Sequence, residues 1–249
     1  TITNTASAPL TIYANAADPL GNTSSCSSAS VSYVVDTTAP SAPSGLSLDS
    51  PASSPGNDNT PSITISGVSS SDTVGLYSDN SCSTLKGSAT SSGSTITITS
   101  SSLSSEATYT FYAKTVDAAG NSSSCSSASV SYVLDTTAPS APSSLTNTSL
   151  GNDTTPTITG TAEARSTIKL YNGSTLLGST TADSNGNFSI TLSVLSDGNY
   201  SLTTTATDAA SNTSPSSTAL SITVDTTVSL TVAQFNTLAA QTTGVITAT

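Results

Sequence analysis

Histidine, tryptophan and methionine are missing from this 249-residue chain, and Lys and Arg together number 4 against 15 acidic residues. Each shortage excludes something. Without histidine there is no imidazole base or ligand, and Glu106 and Glu163, the only glutamates, leave little for general acid–base work. No nucleophile is paired with a base and no glycine-rich phosphate loop is present, so the chain is expected to be non-catalytic. A net charge of −11 offers nothing to neutralise a phosphate backbone, which excludes nucleic acid as a partner. No run approaches the ~18 apolar residues of a membrane-spanning helix. No signal peptide is visible and the first residue is not Met, so a fragment of something longer is the simplest account.

Aromatic residues make up 4% of a chain dominated by Ser and Thr, the profile of a disordered stalk. The order of the apolar residues argues otherwise. "SVSYVLD" puts Val130, Tyr132 and Leu134 on one face, and "LSITVD" does so with Leu220, Ile222 and Val224. Alternation with period two, rich in Val, Ile, Thr and Tyr, marks half-buried strands. Turn clusters such as "YNGST", "SNGN" and "SDGN" fall between the strands.

The chain also repeats itself. "SSASVSYVVDTTAPSAP" at 27–43 returns as "SSASVSYVLDTTAPSAP" at 126–142, and Cys26 and Cys125 stand 99 positions apart, as do Asp36 and Asp135. That period is the size of a small domain. The expected division is the end of one unit at 1–38, whole units at 39–137 and 138–227, and the start of a unit of another type at 228–249, where "VAQFNTLAAQ" could form a short helix. Units of this length with about seven short strands suit an immunoglobulin-like β-sandwich, so the fold class is all-β with tandem Ig-like domains. Tyr109 in "SSEATY" and Tyr200 in "LSDGNY" each follow an acid by three residues and open an alternating strand. That is the setting of a tyrosine corner at strand F, where the hydroxyl ties back to the main chain. The first unit has Leu10 at that place, and the antibody-type Trp and Cys pair are absent.

The "DTTAPSAP" linker, the "LYSDNSC…TFYAKTVDAAGNSSSCS" pattern and the stretch "GTAEARSTIKLYNGSTLLGSTTADSNGNFSITL" resemble bacterial Ig-like repeats over residues 1–227. The resemblance implies a large secreted or surface-attached adhesin of the biofilm-associated kind, located outside the bacterial cell. Its partners would be neighbouring repeats, with cell-surface or matrix ligands met through other regions. A structural spacer is the function expected, since a Ser/Thr-coated acidic surface and Pro-stiffened linkers fit a rod. A head-to-tail filament of chains completing one another by strand addition is the alternative.

Cys82 and Cys125 occur together in the second unit and are absent together from the third. Loss as a pair is what a disulfide predicts; two buried thiols are the other reading. Closing a loop of roughly 43 residues would stabilise the unit by about 4 kcal/mol on the chain-entropy model. The acids also gather. In a seven-strand sandwich the B–C and F–G turns lie at the end facing the preceding linker. That groups Asp36, Asp72, Asp117 and Asn121 in one set, and Asp135, Glu163, Asp208 and Asn212 in a second, with a one-residue gap between Asp72 and Glu163 in the alignment. Similar repeats bind Ca²⁺ at such junctions, so calcium is the expected cofactor, held by carboxylate and amide oxygens. Ordinary Asp/Asn turn chemistry accounts for the same residues without a metal.

Overall fold

A computed structural model describes residues 9–149 and 151–227; the expected short helix at 232–241 lies outside them. The chain separates into two compact units, Thr1–Thr136 and Thr137–Thr249. Within the first, β1 (Leu10–Tyr13) and β2 (Ser30–Tyr33) form a lone antiparallel hairpin. Seven strands follow: β3 (Gly45–Ser50), β4 (Ser62–Ser66), β5 (Thr73–Tyr77), β6 (Leu85–Thr90), β7 (Thr95–Thr99), β8 (Ala107–Val116) and β9 (Val130–Leu134). They correspond to A, B, C, C′, E, F and G of an Ig-like sandwich. One sheet has the order β3-β4-β7 and the other β6-β5-β8-β9.

The second unit repeats this frame. Its strands are β10 (Ser143–Asn147), β11 (Thr157–Thr161), β12 (Thr167–Asn172), β13 (Thr175–Thr181), β14 (Asn187–Thr191), β15 (Gly198–Thr207) and β16 (Leu220–Val224). The sheets run β10-β11-β14 and β13-β12-β15-β16.

Alternation does the sorting. In β4, Ile63 and Ile65 are fully buried while Ser62, Thr64 and Ser66 face outward. They meet Ile98 from the same sheet and Val74, Leu76, Phe111, Ala113, Tyr132 and Leu134 from the other. Each large apolar side chain removed from water contributes about 1.5–3 kcal/mol. Ile158, Ile168, Leu170, Phe188, Ile190 and Leu202 build the second core in the same way. The hydroxyls on the outer faces pair across strands, as in Thr64–Thr97 and Thr146–Thr159, both at 2.8 Å. A Ser/Thr-rich sequence thus folds because its polar half is spent on the outer faces and its apolar half inside.

The first strand of each sandwich changes sheets. Past β3 the chain crosses over, and Gly56 lies parallel to Leu134 of β9, donating to the Val133 carbonyl and accepting from the Asp135 N–H, both at 3.0 Å. Gly151 accepts from the Asp225 N–H at 2.9 Å in the second unit. Glycine is required at the first crossing: a Cβ on Gly56 would stand 2.8 Å from both Pro51 Cγ and Tyr132 Oη.

The hairpin β1–β2 shares the register of strands F and G. Leu10 pairs with Tyr33 as Tyr109 pairs with Tyr132. Its apolar side chains Tyr13, Val31 and Tyr33 are exposed, at 54%, 68% and 58%.

Candidate functional site

The turn joining strands F and G is built alike three times. Asp18, Asp117 and Asp208 each accept, through Oδ1, the main-chain N–H of the residue four further on, at 2.8–2.9 Å. The side-chain amide of that same residue, Asn22, Asn121 or Asn212, donates to Oδ2 at 2.8–2.9 Å. Asp183 and Asn187 repeat the pattern in the β13–β14 turn. The asparagine side-chain donor holds the carboxyls of Asp18 and Asp117 below the usual carboxylate range, and the Asn187 N–H does the same for Asp183. These are Asx turns locked from both sides.

The serine run after each turn is structural as well. Ser123 and Ser126 accept from the N–H groups of Thr115 and Ala113 at 3.0 Å. Ser214 and Ser217 do so for Ala206 and Thr204, at 2.9 and 3.0 Å, and Ser24 and Ser27 for Ala16 and Ala14, at 2.9 and 3.1 Å. Side-chain oxygens stand in for a strand along one edge of strand F, and all four serines of the two sandwiches are buried.

Of the first expected metal set, Asn121 Nδ2 donates to the main-chain carbonyl of Asp36 at 3.1 Å, while the Asp36 carboxylate accepts the Thr38 N–H at 2.9 Å. Asp72 precedes Thr73, which pairs with Val116, the residue before Asp117. Asp72 is 7% exposed, and its Oδ2 has no hydrogen-bond partner.

Of the second set, Asp135 belongs to the first unit and Glu163, Asp208 and Asn212 to the second. Glu163 is exposed, and its main-chain carbonyl accepts the N–H and hydroxyl of Ser166 at 3.2 and 2.7 Å. Asp72 likewise donates its N–H to the Ser69 carbonyl at 3.3 Å, and Ser71 and Arg165, one residue earlier, both have positive φ. The structural counterpart of Asp72 is therefore Ser166, and that of Glu163 is Ser69. Among the described residues no three His, Cys, Asp or Glu side chains form a metal-holding group. The Asp72 Oδ2 is the one carboxylate oxygen of these sets that is buried without a hydrogen-bond partner among the described residues, whereas the Asp117 and Asp208 carboxylates already accept N–H donors.

Cys82 and Cys125 form a disulfide with a Cα–Cα distance of 5.7 Å. Cys125 lies between the buried Ser123 and Ser126. Cys82 has positive φ in a turn organised by Asp79, whose carboxylate accepts from Ser81, Ser83 and Thr84. The Ser81 hydroxyl above all, then the Thr84 N–H, holds the Asp79 carboxyl far below its ordinary range. In the second unit the β12–β13 hairpin turns tightly at Gly173, with Asn172 paired to Thr175. The half of the loop that would carry a cysteine is missing there, and Ser216, preceding the pinned Ser217, occupies the place of Cys125. Cys26 is exposed and free.

Both tyrosine corners are present, Tyr109 donating to the Ser105 carbonyl at 2.9 Å and Tyr200 to the Ser196 carbonyl at 2.8 Å. The neighbouring acids bond elsewhere. Glu106 accepts the N–H and hydroxyl of Thr136 at 2.9 and 2.7 Å, and Asp197 those of Thr226 at 3.0 and 2.9 Å. Sequence reasoning missed these pairs. It also missed the Asp58–Thr60 and Asp153–Thr155 caps before strand B, although the repeated D-x-T-P spelling marks them.

A groove of 590 Å³ on the second unit is lined by Thr159, Thr161, Thr180, Asn187 and Asp183, whose carboxylate is already bonded to the N–H groups of Asn185 and Asn187. Such a lining supplies no paired acid and base.

Two sandwiches with shared turns and joints define a tandem Ig-like protein. The chain belongs to the bacterial Ig-like domain family, whose model matches residues 47–136 and again 132–226. Chitinase A1 of Niallia circulans is 34% identical over 199 residues, a stretch that takes in 76% of this chain and 26% of that protein. Among solved structures, the BSP domain of a biofilm associated protein is 21% identical, covering 76% of this chain and 30% of that one at a TM-score of 0.30. Fibronectin(III)-like modules of Clostridium thermocellum CbhA are 19% identical, covering 72% and 93% at a TM-score of 0.45.

Proposed function

We propose that these domains are a non-catalytic spacer in an extracellular bacterial surface protein, holding a binding or catalytic region away from its base. One observation carries the reading. The Pro-containing linker before the first sandwich is bonded to it along its length, by Asn121 Nδ2 to the Asp36 carbonyl and by the Thr115 hydroxyl to the Ser41 carbonyl, both at 3.1 Å. A free tether has no such bonds; a stiff joint needs them. The disulfide fits an oxidising compartment outside the cytoplasm. An adhesin stalk and the accessory part of a secreted enzyme both call for this element, so the spacer role is independent of what the parent protein carries.

Calcium at the acidic set of the first domain is part of the proposal, with Asp36, Asp72, Asp117 and Asn121 as its candidate ligands. Small-angle X-ray scattering of residues 1–249 with Ca²⁺ and then with excess chelator tests both statements. A large maximum dimension supports the spacer, and its shrinkage on chelation supports the metal. A compact profile in both conditions would end the spacer reading. The exposed apolar face of β1–β2 favours filament assembly as a second reading, and a monodisperse monomer at high concentration would retire it.

A further inference from the structure

We infer that Glu106 and Asp197 are exit clamps: each fixes the direction in which the chain leaves its own sandwich by holding the first threonine of the outgoing linker. This deepens the spacer reading and rests on it for its purpose, while the clamp itself is a local property of each domain.

The geometry is the same twice. The acid stands three residues before the corner tyrosine, and the threonine stands four residues beyond the strand-G residue paired with that tyrosine, Tyr132 with Tyr109 and Ile222 with Tyr200. The tyrosine hydroxyl binds the carbonyl of the residue just before the acid, Ser105 or Ser196. The carboxylate therefore projects from a turn that is already fixed. It takes both donors of one residue, N–H and O–H, and so restrains that residue's main chain and its χ1 rotamer together. One clamp uses Glu and the other Asp, yet both make the same two bonds at the same register. A different side chain reaching the same end is a sign of a requirement rather than of chance pairing. It gives a role to the first threonine of the "DTT" at 135–137 and at 225–227.

The clamp lies on the surface and adds little to the core, so its effect belongs to linker order and not to fold stability. Amide hydrogen exchange and heteronuclear NOE on the full chain test this. In Glu106→Ala, exchange at the Thr136 N–H rises about tenfold or more and the NOE falls over 136–138, with the melting temperature unchanged. Thr136→Ser retains the wild-type values because both donors remain. Thr136→Val keeps the N–H, loses the hydroxyl and falls between. Asp197→Ala moves Thr226 alone. Unchanged exchange at Thr136 in Glu106→Ala, or Thr136→Ser behaving like Thr136→Val, overturns the clamp. If Glu106→Ala unfolds, the Val and Ser variants decide. A compact wild-type scattering profile together with a clamped Thr136 would sink the spacer and leave the clamp standing.

Discussion

The hydroxyl of Tyr132 in β9 donates to the main-chain carbonyl of Asp58 at 2.8 Å. Tyr132 is fully buried, so this bond joins the centre of the first core to the loop that enters strand B. The second domain has Ile222 at that register and makes no equivalent bond. The same ring forbids a side chain at Gly56, where the crossing main chain passes beside it. Core residue, sheet-switching glycine and loop cap form one unit.

Removing the hydroxyl should therefore have two opposite effects. Tyr132→Phe alone leaves the Asp58 carbonyl without its donor and lowers stability by about 1 kcal/mol. Gly56→Ala alone forces Cβ against Oη and Pro51, costing about 1–3 kcal/mol. Combined, the two cost less than their sum, because the Phe ring no longer presents the atom that the new methyl meets. Urea unfolding of the four proteins measures the coupling; strict additivity would show that the Pro51 contact alone sets the limit.

The disulfide should distinguish the two domains by redox chemistry. Reduction of Cys82–Cys125 destabilises the first sandwich by about 2–4 kcal/mol and leaves the second unaffected. Differential scanning calorimetry with and without reductant should show one transition moving down and the other fixed. Two transitions moving together would mean that the sandwiches unfold as a single cooperative body.

Local patterns were readable in the sequence; pairings across the fold were not. Ile63 and Ile65 in "SITIS" or Phe188 and Ile190 in "NFSIT" announce their inward face by alternation alone, and seven strands per domain follow from repeating that signal. The tyrosine corner has a fixed local spelling, and the bridge showed itself by the joint loss of two cysteines. Glu106 and Thr136, by contrast, are 30 positions apart in the chain and become neighbours only when strand G returns beside strand F. The alignment of Asp72 with Glu163 shifted for a related reason: the turn geometry, which only the main chain reveals, makes Ser166 the counterpart of Asp72 in the other domain. The acids of the F–G turns were legible as a group, but the spelling D-x-x-x-N was common to both of their explanations. The buried serines behind Cys125 were hidden in a composition that made every serine look superficial.

The turn aspartates give the protein a defined acid limb. Hydrogen bonds from Ser81 and Thr84 lower the carboxyl of Asp79, those from Asn121 lower Asp117, and those from Thr155 lower Asp153. A depressed folded-state pKa means that the unfolded chain binds more protons over the interval between the two values. The stability from these bonds is therefore complete above the unfolded carboxylate value of about 3.9 and is lost as pH falls through the lower folded values. Thermal midpoints are expected to hold level between pH ~7 and ~5 and to drop below pH ~4. Side-chain carboxyl NMR provides the residue-level check, since Asp79 should still be ionised at pH ~3, where an unperturbed aspartate is mostly protonated. An inflection for Asp79 at about 3.9 would show that its turn is open in solution. Asp79→Asn separates the contributions: it keeps a side-chain carbonyl acceptor but loses the charge, so the acid limb of the first domain becomes shallower while that of the second is unchanged.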